Sequence, residues 1–138
     1  MNDKIDALRR ESLGDIQAAT TLERIEELRV SLLGRKGTIT ELLNDPACPE
    51  VSLALARVDP GVTTRLHRVV GTVERYVILS GAGVVEIAGV TAPVAPGDRV
   101  LIPAGVAQRI TATGPDALTF HCVCTPRFRQ ENYRDLGD

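Results

Sequence analysis

The side chains able to do chemistry fall in three short runs. His67 and Glu74 stand seven residues apart, Gln108 follows a Pro-Ala-Gly turn, and the run LTFHCVCTP carries His121, Cys122 and Cys124. A neutral imidazole and a carboxylate are donors that suit a divalent transition metal, with water completing its shell. On neighbouring strands the same two groups equally form a metal-free network, hydrogen-bonding each other with Gln108 completing it. A buried carboxylate needs such partners, because an unpaired buried charge is costly. Strand alternation puts Phe120, Cys122 and Cys124 on one face and His121 on the other. Facing inward, a thiolate would make a metal site softer; the plainer reading is two small buried core residues. His121 is expected at the surface or at an interface. Arg65 shares the face of His67, where it would pair with a carboxylate or phosphate ligand, pair with Glu74, or reach out at the barrel mouth. Tyr76 shares the face of Glu74 and reads either as a proton donor or as a core residue with a satisfied hydroxyl. The catalytic candidates are thus Glu74, Tyr76 and Arg65. The chain contains no Gly-rich phosphate loop, nucleophile elbow or Cys-x-x-Cys pair.

The elements that must position these groups are strands. GVTTRLHRVVGTVERYVILSG, residues 61–81, reads as two strands joined by a turn. Turn signals recur near every eight residues, at Asp59-Pro60-Gly61, Gly71, Ser80-Gly81, Ala88-Gly89, Pro96-Gly97, Pro103-Ala104-Gly105 and Gly114-Pro115-Asp116. Short strands at that spacing predict a sandwich or barrel, with about eight strands between residues 51 and 125. In VSLALARV, Val51, Leu53 and Leu55 alternate onto one face. Residues 1–43 differ: they lack proline, and Ile5, Leu8 and Ile16, then Leu22, Ile25, Leu28 and Leu32, recur at helical spacing. Thr20 with Glu23 predicts a capping box at the start of a second helix. Gly34 and Gly37 end it, and a short turn over 38–43 follows. The expected organisation is a helical appendage over 1–43 and a barrel over 44–138, with a polar tail after Pro126 packing outside the barrel or on a partner subunit.

The barrel segment resembles the cupin superfamily. Gly61, His67, Glu74 and Gly81 fall on its first motif, G-x5-H-x-H-x3,4-E-x6-G, with Val69 at the place of the second histidine. Gly97, Pro103 and Gly105 fall on the second, G-x5-P-x-G-x2-H-x3-N, with Gln108 and Ala112 at its last two positions. The resemblance implies a mainly β double-stranded β-helix of jelly-roll type. It places His67, Glu74 and Gln108 at three of the four metal-ligand positions, for iron, manganese, nickel or zinc. Mannose-6-phosphate isomerases, also cupins, use a glutamine ligand, so Gln108 is compatible with metal. The leader resembles something else. Its words LERIEELRVSLLGRKGTIT look like the N-terminus of the α chain of bacterial phenylalanyl-tRNA synthetase, with none of that family's catalytic residues.

Composition limits the function classes. Sixteen basic against 18 acidic side chains give no polycation for nucleic acid or a membrane surface. Residues 1–43 carry seven basic and eight acidic side chains, so tRNA binding by the leader is not expected. Four aromatic residues leave the core to Val, Leu, Ile and Ala. Three cysteines, an odd number, fit a reducing cytoplasmic setting, with Cys48 a free thiol in a loop. The expected function is binding of a small organic molecule, with oxidoreductase or isomerase chemistry at a mononuclear metal site. A non-catalytic sensor barrel without metal is the alternative, and a partner- or RNA-linked role for the helices is a further one. A homodimer is expected, as cupins commonly form.

Overall fold

The computed structural model of the protein describes residues 2–34, 36–45 and 47–137. The chain divides into two compact units, residues 1–45 and 46–138.

The first unit holds α1 (Asn2–Ala18), α2 (Leu22–Leu33) and α3 (Thr38–Leu43). The cap of α2 is Thr21, one residue later than the capping-box spacing indicates; its side chain accepts from the Arg24 backbone N–H at 3.1 Å. Arginine at that third position has no carboxylate to reach back, so only half of the reciprocal box forms. Gly34 is required at the end of α2, where a Cβ would stand 2.4 Å from the Val30 carbonyl oxygen. No helix among the described residues is long and apolar enough to cross a membrane.

The second unit is two antiparallel sheets. The first has the order β1 (Ser52–Val58), β8 (Leu118–Thr125), β3 (Val73–Ser80), β6 (Arg99–Ile102). The second has the order β5 (Val90–Val94), β4 (Gly83–Ile87), β7 (Gln108–Ala112), β2 (His67–Val69), β9 (Tyr133–Asp135). Strands 1–8 in this arrangement are a jelly roll. Between the sheets lie Val58, Tyr76, Ile78, Val85, Val94, Ile102, Ile110, Ala112, Leu118 and Phe120. Each fully buried aliphatic side chain contributes about 1.5–3 kcal/mol by leaving water. Two turn positions show why the glycines are needed. Ala88 and Gly89, with φ of 52° and 78°, make the tight β4–β5 hairpin. Gly81 has φ of 82°, and a Cβ there would meet the Ala117 carbonyl oxygen at 2.4 Å.

Leu55 is 61% exposed, on the face of β1 opposite to the one on which Ala56 and Val58 meet the core residues Phe120 and Leu118. Two expectations are corrected. The tail does not simply pack outside the barrel. Residues 133–135 return as a ninth strand, with Val69 opposite Tyr133 and His67 opposite Asp135. Finally, β2 and β3 are consecutive in the chain but lie in different sheets, the Gly71 turn carrying the chain between them. His67 and Glu74 therefore belong to opposite walls of the barrel and are not cross-strand neighbours.

Candidate functional site

Register alone collects the polar residues on the inner walls, since residues directly opposite each other share a face. On the first sheet, Glu74 lies opposite Cys124 and Ile102, and Tyr76 opposite Cys122. Ser52 lies opposite Cys124. On the second sheet, His67 lies opposite Gln108. Further along the same strands the inward set becomes Ile78, Phe120, Leu118, Ile110 and Ala112, so one end of the interior is polar and the other apolar.

A hydrogen-bonded string crosses between the two sheets. The Tyr76 hydroxyl donates to Gln108 Oε1 at 2.6 Å, and Gln108 Nε2 donates to Glu74 Oε2. All three residues are buried, Gln108 completely. Tyrosine has one proton to give and an ionised carboxylate can only accept, so the two ends of the string fix which way the amide points. The Gln108 carbonyl oxygen is consequently engaged by Tyr76, and its amide nitrogen faces the carboxylate. The other carboxylate oxygen, Glu74 Oε1, receives the Cys122 thiol at 3.5 Å and the Cys124 thiol at 4.0 Å. The two sulfurs are 3.7 Å apart.

Burial governs the ionisation of this cluster. Loss of solvation pushes the Glu74 carboxyl above its ordinary value, against the opposing pull of hydrogen bonds from Cys122 and Gln108 and of the His67 charge. Burial, with the Glu74 charge beside it, also pushes the Tyr76 hydroxyl up, so it remains a hydrogen-bond donor. The two thiols perturb each other: contact with Cys124, reinforced by burial, raises the Cys122 thiol, and the same contact lowers Cys124.

His67 is half-buried and held from two sides. Its ring stacks on Tyr133 with centroids 4.9 Å apart and planes at 23°. Its Nδ1 lies 2.8 Å from the Arg65 carbonyl oxygen. A carbonyl only accepts, so Nδ1 carries the proton in the neutral ring and Nε2 is left as the basic atom. Arg65 is not inside the barrel. Its side chain is 75% exposed and pairs with Asp135 on the tail strand at 2.6 Å. Residues 63–66 precede β2, so alternation along that strand does not govern Arg65. His121 is buried, not a surface residue: it sits on the outer face of a strand flanked on both sides, opposite Leu55 and Val77. Cys48 is likewise buried, with its thiol 3.3 Å from Glu50 Oε2.

The structure thus brings together Glu74, Gln108, Tyr76, Cys122 and Cys124, with His67 on the facing sheet. The ligand atoms of Glu74, Cys122 and Cys124 all lie within 4.8 Å of one another, and His67 is outside that group. A carboxylate with two thiols is a donor set that fits a transition metal. Sequence reasoning missed Tyr133 and Asp135. The alternation of tyrosine, arginine and aspartate in the tail was the available strand signal, and its partner β2 is only three residues long.

The comparisons agree with this architecture. A short leading segment, 43 residues, is 46% identical to the phenylalanine–tRNA ligase α subunit of Levilactobacillus brevis, covering 31% of the chain and 12% of that protein. Over 37 residues the identity to the corresponding Nostoc subunit is 62%, again spanning only 11% of it. Among solved structures, Streptomyces Pac13, described as a nucleoside dehydratase, superposes with a TM-score of 0.58 at 17% identity, over 64% of this chain and 70% of that one. A predicted oxalate decarboxylase of Thermotoga maritima superposes with a TM-score of 0.54 at 31% identity, over 56% of this chain and 68% of that one. The cupin domain of Schizosaccharomyces pombe Cnp3 gives 0.55 at 15% identity, over 56% and 57%. The family model for the cupin domain matches residues 54–124, which hold Glu74, Gln108 and both inward thiols. With the jelly-roll strand order and the motif glycines in place, the chain belongs to the cupin family.

Proposed function

We propose that this cupin binds a small polar organic molecule at the polar end of its barrel, and that a divalent metal held there assists a reaction on it. One observation carries the reading: acid–base and hydrogen-bonding groups from both sheets converge on one end of an otherwise apolar interior. His67 supplies a basic Nε2, Tyr76 and Gln108 a fixed donor–acceptor string, and Glu74 a carboxyl whose pKa is raised by burial. Such a pairing of groups suits proton transfer at a bound substrate, hence isomerase or oxidoreductase chemistry. A metal bound at Glu74 would act as a Lewis acid or redox centre. Small carboxylic acids head the ligand classes, because the 31% identical neighbour is described as a predicted oxalate decarboxylase. The protein's free thiols suit a reducing cytoplasm, and exposed Leu55 and Leu101 on the outer wall support a homodimer, which sedimentation would test.

The test is a thermal-shift screen of the metal-free protein against small organic acids and sugars, repeated with His67→Ala. A ligand that raises the melting midpoint of the parent and loses that effect in the variant supports the reading. Equal shifts in both proteins would overturn it. The second reading, a sensor barrel without metal or catalysis, is favoured by Val69 and Gln108 standing at histidine positions of the motifs. Ligand binding with no turnover, unchanged by added divalent metal, would establish it.

A further inference from the structure

We propose that Glu74, Cys122 and Cys124 form a soft-metal site that takes Zn2+, with Cd2+ as its close substitute, through two thiolates and one carboxylate oxygen. This deepens the metal-assisted form of the proposed function and rests on it. It also departs from the motif-derived ligand set, since the thiols come from β8 and not from any motif position.

The geometry is that of one face of a tetrahedron. Zinc–sulfur bonds of about 2.3 Å at the tetrahedral angle separate two sulfurs by about 3.8 Å. A zinc–oxygen bond of about 2.1 Å puts the oxygen about 3.6 Å from each sulfur. The donor atoms stand at 3.7 Å for the sulfur pair and at 3.5 and 4.0 Å for the two sulfur–oxygen edges. The triangle is therefore assembled to within a few tenths of an ångström by the register of β3 against β8, which sets Glu74 opposite Cys124 and Tyr76 opposite Cys122.

The surroundings are those of a prepared ligand set. One carboxylate oxygen, Oε2, is held by Gln108, which is itself held by Tyr76; the other, Oε1, is the atom both sulfurs approach. An outer hydrogen bond of this kind orients a metal-ligating carboxylate and leaves it one coordinating oxygen. Ser52 stands opposite Cys124 across the β1–β8 ladder. Thiolate donors select zinc and its heavier relative over magnesium, calcium and manganese. Binding one ion displaces the two thiol protons to solvent, and three protein donors leave the fourth position for water or the small molecule.

The experiment is a Co2+ and Zn2+ titration of the metal-free full chain under reducing conditions, combined with thiol alkylation read by mass spectrometry. One equivalent of cobalt is expected to produce a thiolate-to-cobalt charge-transfer band that zinc abolishes. Zinc is expected to protect Cys122 and Cys124 from alkylation while Cys48, outside the cluster, alkylates at an unchanged rate. Cys122→Ser and Cys124→Ser should each lose at least the about 10–100-fold in zinc affinity that even outer partners cost; Cys48→Ser should lose none. Cobalt binding without a charge-transfer band, a band that survives both serine variants, or no protection by zinc would each overturn the site. The alkylation arm uses the unsubstituted chain and decides the matter where a serine variant fails to fold. Small-molecule binding is measured separately in metal-free protein, so its failure leaves the cobalt band standing, and the reverse.

Discussion

Tyr76→Phe removes one oxygen and tests whether the cross-barrel string is a working part of the interior. The ring stays in place, with its centroid 4.5 Å from that of Phe120, so packing is conserved. What disappears is the 2.6 Å hydrogen bond to Gln108 Oε1, leaving that carbonyl oxygen buried with 0% of its residue exposed. An acceptor stranded in this way costs about 1–3 kcal/mol. A central loss of about 2 kcal/mol in a unit of this size lowers the melting midpoint by about 8–16 °C. Calorimetry on the parent, Tyr76→Phe, Gln108→Leu and the double variant gives the coupling as well as the single losses. We expect Tyr76→Phe to fall in that range and the cycle to be non-additive by about 1 kcal/mol. A Tyr76→Phe midpoint within about 2 °C of the parent, with additivity to within about 0.5 kcal/mol, would refute the string as drawn.

Three further outcomes rest on other contacts of the fold. Glu74 has a folded-state pKa raised above 4.5 by burial, so the folded protein holds that proton more tightly than the unfolded chain and loses stability as pH rises from about 4.5 through the raised value. Glu74→Gln lacks this slope, so its midpoint relative to the parent should climb across that window in a pH series of melts; a constant offset would show that Glu74 is not desolvated. Gly81→Ala should cost more than about 1 kcal/mol, because φ is 82° and the added carbon meets the Ala117 carbonyl oxygen. Gly61→Ala, with φ of 76° and nothing within 4 Å, should cost less in the same denaturant titration, and equal losses would contradict the clash. Asp135→Asn breaks the pair to Arg65 and should speed amide exchange at Leu136, whose N–H bonds the Leu66 carbonyl at 2.9 Å; unchanged exchange would show that the pair does not fasten the tail.

Local sequence carried the strand count and much of the inner wall. Turn residues every eight positions marked β1 to β8, and alternation from Glu74 to Ile78 assigned an inward face that the fold retains. The motifs also brought Glu74 and Gln108 to the same site. What stayed hidden was sheet membership and register between distant strands. His67 and Glu74 are close in sequence, yet the Gly71 turn changes sheets between them, and nothing in a seven-residue spacing records that. The contact of Glu74 with the two thiols joins positions 48 and 50 residues apart through the β3–β8 ladder. Alternation sets His121 on the face opposite the two thiols, as the fold has it, but a pattern of faces does not record that a residue on the outer face of a strand flanked on both sides can be buried.

The ninth strand has a practical consequence for handling the protein. Asp135 stands opposite His67, and three residues of extended chain reach only about 10 Å. A peptide fused shortly after this strand is therefore tethered within that reach of the His67–Asp135 pair. A C-terminal polyhistidine tag would deliver a cluster of competing imidazoles to the polar end of the barrel and colour every metal or ligand titration made there.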